Sequence, residues 1–213
     1  MNRIDASRCA LVLVDYHARL MPAMAGGADV LAHALLLADA AALLGVRVVG
    51  TEQNPDGLGA TVEPIRRRCA RTLAKTHFDA CEDGLLELLA GVPEVVIAGC
   101  EAHVCLLQTA LGLRRAGKPL WVAAPACGSR ERSDHALAMQ RLRDAGAAVV
   151  ASEMVVFEWL HDCRHPRFRE VLERVKARPL PAAAPAPSHE AADRQRLASA
   201  LPTMSPSPRG AAP

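Results

Sequence analysis

The stretch EVVIAGCEAHVCLLQTALGLRRAGKPLWVAAPA, residues 94–126, decides the fold. Its first seven residues, EVVIAGC (94–100), are apolar almost without interruption, as in a strand covered on both faces of a parallel sheet. HVCLLQTALGLRRAG then spaces its apolar residues as a helix does over about 103–117, and Gly117 is a natural stop. LWVAAPA (120–126) returns to the strand pattern. Outward from this unit the same alternation repeats. Further strands are expected at CALVLVDY (9–16), VRVVGTE (46–52) and AAVVASE (147–153), with a weaker one at RTLAK (71–75). Helices are expected at about 28–44, 82–90, 132–145 and 153–162. Strands alternating with helices imply crossover connections, hence an α/β fold: a three-layer αβα sandwich on a mostly parallel, six-stranded, Rossmann-like sheet.

Composition narrows the function. Among 213 residues, 25 Lys and Arg face 23 Asp and Glu, a net charge of +2, too even for a dedicated binder of nucleic acid or anionic membrane. The first residues, MNRIDASRCA, lack a signal-peptide pattern, and no uncharged apolar run reaches the ~18 residues that span a bilayer. A soluble, cytoplasmic protein is expected, with no nucleic-acid or membrane partner. From Pro179 onward come 8 of the 15 prolines with few bulky apolar residues, so 179–213 reads as a disordered tail behind one domain over 1–178.

Seven cysteines at irregular spacing form no CxxC pair, and the eight histidines fall in no metal-ligand spacing, so neither a metal nor another cofactor is expected. GxGxxG and GxxxxGK are both missing, which argues against a phosphate loop and disfavours a dehydrogenase. Most of the cysteines read as small apolar packing residues.

Ligands of open parallel sheets collect at the carboxyl ends of the strands. That rule selects Asp15 with His17, Glu52 with Gln53, Lys75 with His77, and the turn from Cys100 to Cys105. Cys105 is placed in the first turn of a helix, where the free N–H groups favour a thiolate. A carboxylate, an ammonium and a thiol at one crevice suit acyl transfer: Asp15 takes the thiol proton, Cys105 attacks, and Lys75 steadies the charge. Backbone amides in the tight turn would hold the oxyanion. His17, Gln53, His77 and His103 are candidates for lining the substrate pocket.

LVLVDYHARL (11–20), AKTHF (74–78) and VIAGCEAHVCLLQTALGL (96–113) resemble the three signature segments of the isochorismatase-like cysteine hydrolases. The resemblance runs on through ACGSRERSDHALAMQRLRDAGAAVVASEMVVFEWL and HPRFREV, about residues 9–176. TEQNPDGLG (51–59), EAHVCLLQTAL and HPRF look most like the isochorismatase domain-containing proteins. The resemblance implies an Asp15–Lys75–Cys105 triad. It also implies a cis Cys100–Glu101 peptide that aims the amides of Glu101 and Cys105 at the substrate oxygen, and assembly into homo-oligomers.

Four departures matter. TEQNPDGLG lacks the Asp-x-His metal motif of nicotinamidases, and Cys105 is absent from isochorismatases proper, so neither substrate is favoured. Ala102 and Pro125 replace the Thr and Asp common in relatives. The expected function is therefore metal-independent cleavage of a small-molecule amide or related C–N bond through a thioester-type acyl-enzyme. The alternative is a non-catalytic, thiol-bearing interaction or redox-responsive module on the same fold.

Overall fold

Cys9–Val14 forms the central strand β1, and all six residues of CALVLV are buried because both faces of the sheet are covered. The computed structural model describes residues 3–178; the tail expected over 179–213 lies outside the described residues. In chain order β1 is followed by α1 (Gly27–Leu44), β2 (Arg47–Gln53), α2 (Pro55–Leu58), α3 (Glu63–Arg66), β3 (Arg71–Lys75), α4 (Leu85–Leu88) and β4 (Glu94–Gly99). Then come α5 (Leu107–Arg115), β5 (Leu120–Ala123), α6 (Arg132–Asp144), β6 (Ala148–Val150), α7 (Ser152–Leu160) and α8 (Phe168–Ala177). The strands pair in the order β3-β2-β1-β4-β5-β6, and every ladder is parallel. The α/β fold expected from the strand–helix alternation is the one observed.

Helices α1, α3, α7 and α8 pack together, and α5 packs on α6, giving the two outer layers. α1 is 18 residues long with mean hydropathy 1.6, enough by length and composition to cross a bilayer. Here it is the connection from β1 to β2, set against α7 and α8. Gly26 and Gly45, both left-handed, bracket it, and the Gly45 N–H closes the last turn on Ala41 O. Two short helices, α2 and α3, and the amphipathic α8 add to the expected set. The helix expected over about 82–90 is only Leu85–Leu88, preceded by a 3-10 turn at Ala80–Asp83.

The register builds the site. Val14 pairs with Thr51 on one side and Gly99 on the other, and Gln53 pairs with Lys75, so β1, β2, β3 and β4 end side by side. Gly99 is required for this: a Cβ there would stand 2.4 Å from Val14 O. The winding direction changes between β1 and β4, the place where α/β sheets open a crevice.

Candidate active site

Two charges are sealed at the end of the sheet. Asp15, directly after β1, is 1% exposed and left-handed at φ 55. Lys75, the last residue of β3, is 2% exposed. Lys75 Nζ stands 2.8 Å from Asp15 Oδ2. Desolvating two charges costs several kcal/mol per ion in such a setting, so a sealed pair at a crevice marks a working site more than a stabilising device.

The two carboxylate oxygens differ. Thr51 Oγ1 donates to Oδ1 at 2.6 Å, while Oδ2 touches Lys75 off the line of a hydrogen bond and keeps a lone pair for another proton. The ammonium is surrounded by oxygen. Gln53 Oε1 accepts from it at 2.6 Å, with the carbonyls of His77 and Phe78 at 3.3 and 3.5 Å. With its donors engaged, Lys75 acts on its neighbours as a charge.

Cys105 is 7% exposed, with Asp15 and Lys75 both against the thiol, and Sγ lies 3.9 Å from Gln53 Oε1. The turn that carries it corrects the sequence expectation. Ala102–Leu106 is a π-helical turn, with Leu106 N–H bonded back to Glu101 O, and α5 begins only at Leu107. Cys105 therefore precedes the α-helix. Such π turns recur at functional sites because they re-aim one residue. The Cys100–Glu101 peptide ahead of it is cis.

The charge state of the thiol is a second correction. Burial, followed by the negative charge of Asp15, pushes Cys105 up to about 12, and the opposing pull of Lys75 does not offset them. The resting group is a thiol. An expectation based on a helix terminus omitted desolvation, which dominates here.

The other expected residues divide. His17 is fully buried and donates Nδ1–H to Gly59 O at 2.6 Å, while Nε2 accepts from Gln53 N–H at 3.0 Å, so its ring braces the β1 and β2 ends. Gln53 stands inside the site. The half-exposed His77 faces Asp83 at 3.0 Å and is raised by that hydrogen bond and charge. His103 bonds Ser129 Oγ at 3.0 Å beside the turn of Cys105, and Nε2 lies 3.7 Å from Asp134. Glu101, whose amide is an oxyanion candidate with that of Cys105, pairs through its side chain with Arg130 at 2.8 Å. Sequence reading missed the role of Thr51, which only the pairing of Val14 with Thr51 sets beside the Asp15 carboxylate. It also missed Asp83, which accepts from Thr76 N–H and His77 N–H at 2.9 Å each. Among the described residues no three His, Cys, Asp or Glu side chains are grouped to hold a metal ion.

The Isochorismatase domain family model matches residues 9–154. The chain is 32% identical over 183 residues to isochorismatase domain-containing protein 2A of Mus musculus, covering 85% of this chain and 88% of that one. The structure of the MAR1 ribonuclease from Caenorhabditis elegans superposes with a TM-score of 0.80 at 30% identity, covering 87% of this chain and 98% of that one. The YcaC gene product of Escherichia coli, described as an octameric hydrolase of unknown specificity, superposes with a TM-score of 0.73 at 23% identity, over 83% and 97% of the two chains. At that identity the likeness is one of fold.

Proposed function

This chain belongs to the isochorismatase family and carries its hydrolase fold, and we propose that it cleaves a small-molecule amide or related C–N bond through a thioester on Cys105. One observation carries the reading: a sealed Asp15–Lys75 pair lies against a buried thiol at adjoining strand ends. A structural cysteine needs no such pair, whose burial is costly.

The steps follow from the proton inventory. The carbonyl substrate enters beside Sγ. As the sulfur attacks, its proton passes to Asp15 Oδ2, the oxygen that accepts no hydrogen bond. A thiol held near 12 stays protonated until substrate arrives, so transfer and attack are coupled. The negative charge moves from the carboxylate through sulfur to the carbonyl oxygen, near the fixed ammonium of Lys75 and the amides of Glu101 and Cys105. Asp15 returns the proton to the departing nitrogen as the C–N bond breaks. Water, deprotonated by Asp15, then splits the thioester to an acid and restores the thiol. No step uses a metal.

A Cys105 only 7% exposed suits a small substrate and not an RNA strand, so the ribonuclease activity in the name of the Caenorhabditis elegans relative is not carried over. The exposed Leu137, Met154 and Phe157 are side chains that assembly with further copies of the chain would cover. The raised thiol favours one competing reading, a non-catalytic thiol-bearing interaction module; the redox-responsive form of that alternative would need a lower, exposed thiol. Ammonia or amine release across a panel of small amides, comparing wild type with Cys105→Ala, separates the two. Release by the wild type alone supports the hydrolase; equal release by both, or none by either, rejects it.

A further inference from the structure

Gln53 is a neutral side chain whose Oε1 meets both the ammonium and the sulfur. Its orientation is fixed independently of either. Nε2 donates to Thr76 O at 2.7 Å and the backbone N–H donates to His17 Nε2 at 3.0 Å, which leaves Oε1 facing Lys75 at 2.6 Å and Cys105 Sγ at 3.9 Å. The residue is 8% exposed and ends β2, with Lys75 as its register partner on β3. It is therefore built into the sheet end, and a loop movement does not displace it.

We infer that Gln53 is a positioning residue, holding the Lys75 ammonium in place while the negative charge leaves Asp15 for the sulfur and the substrate oxygen. The inference rests on the hydrolase reading above. Before attack, Lys75 is held by one short ion pair, to Asp15 Oδ2 at 2.8 Å, and one short hydrogen bond, to Gln53 Oε1 at 2.6 Å. Once Asp15 has taken the thiol proton it is neutral and no longer attracts the ammonium as a charge. The carbonyls of His77 and Phe78, at 3.3 and 3.5 Å, are the longer contacts. Gln53 Oε1 is then the short acceptor that keeps the cation beside the developing charge.

Neutrality matters as much as position. A carboxylate at this place would grip Lys75 as firmly. It would also add a second negative charge next to the sulfur and cancel the cation that the thiolate needs. One added charge within 4–6 Å shifts an ionisation by about 1–3 pKa units. An amide gives the hydrogen bond without that penalty.

The test uses two variants of the full chain. Gln53→Glu keeps an acceptor for Lys75 and adds charge; Gln53→Met keeps much of the side-chain volume and removes the acceptor. Cys105 labelling by iodoacetamide at pH 8, read by peptide mass, needs no substrate. Gln53→Glu is expected to slow it about three- to sixtyfold, since labelling changes by about 0.5–0.6 log units per unit of thiol pKa. Gln53→Met is expected to lower kcat at least tenfold on whichever amide the wild type hydrolyses, with KM changed less than threefold. Thermal unfolding checks that each variant folds, and either variant alone is sufficient. Labelling of Gln53→Glu at the wild-type rate, or a wild-type kcat in Gln53→Met, overturns the role of Gln53 and leaves the hydrolase reading standing. Failure of the wild type to release amine overturns that reading, and this inference with it.

Discussion

Replacing Asp15 with Asn separates two effects of one carboxylate. In the resting protein its charge raises the Cys105 thiol; in the proposed reaction it is the base. Asparagine keeps an oxygen for Thr51 and removes both effects. Loss of a charge within 4–6 Å lowers the thiol by about 1–3 pKa units, and Lys75, now unopposed, acts in the same direction. Because nucleophilicity falls with pKa with a Brønsted slope of about 0.4–0.5, the net gain in labelling is about 0.5–0.6 log units per unit. Cys105 in Asp15→Asn should therefore react with iodoacetamide at pH 8 about three- to sixtyfold faster than in the wild type, while amide turnover is lost. The assay follows the Cys105 peptide against those of Cys100 and Cys127, both buried, so that unfolding is recognised by labelling of all three. A buried ammonium without its partner costs about 3–5 kcal/mol, so the comparison is made well below the variant's own unfolding transition. Slower or unchanged labelling of Cys105, or turnover that survives, would refute the assignment of both roles to Asp15.

Thr51→Val removes the hydroxyl that holds Asp15 Oδ1 at 2.6 Å. A hydrogen bond to a charged group is worth about 1.5–3 kcal/mol, so unfolding by denaturant should show a loss of that size and kcat should fall about tenfold or more, with both restored in Thr51→Ser. The pH dependence of stability follows from the other buried thiols. Burial raises Cys9 and Cys127 to about 12, and Cys100 and Tyr16 also lie above their ordinary values. A folded-state pKa above the unfolded value means the folded chain holds the proton longer. The stability is fully present below about pH 8.5 and is lost as the pH climbs toward 12, with a slope of up to about 1.4 kcal/mol per pH unit for each group. Denaturant midpoints at pH 8, 9 and 10 in the presence of reductant should fall steadily, and a flat profile would contradict the burial of these groups. Gly99→Ala, which sets a Cβ 2.4 Å from Val14 O, should lower the melting temperature and abolish turnover together. An unchanged melting temperature would show that β1 and β4 do not need that close approach.

The sheet was legible because strands covered on both faces are written as unbroken apolar runs. CALVLV and VVIAG state their burial directly, and Gly45 and Gly117 mark where helices stop. Asp15, Lys75 and Cys105 were legible as chemistry-bearing residues at strand ends, and the register explains how they meet: Val14 lies beside Gly99 and Thr51, and Lys75 beside Gln53. Three things were not legible. The π turn over Ala102–Leu106 is a shift of hydrogen-bond partner by one residue, and composition carries no trace of that. The raised thiol depends on desolvation, a property of the packed site and not of the residues beside Cys105 in the chain. Thr51 reads as an ordinary β-former until the register sets it against the carboxylate. His17, expected to line the pocket from its place two residues after Asp15, has both ring nitrogens engaged in joining the ends of β1 and β2.

The central claim is a covalent acyl group on Cys105. The direct measurement is intact-protein and peptide mass after rapid acid quench of the wild type during turnover of its best amide, with Cys105→Ala in parallel. The account predicts an adduct equal to the acyl fragment on the Cys105 peptide in the wild type and none in the variant. Amine release with no adduct on that peptide, or release that continues in Cys105→Ala, would contradict it.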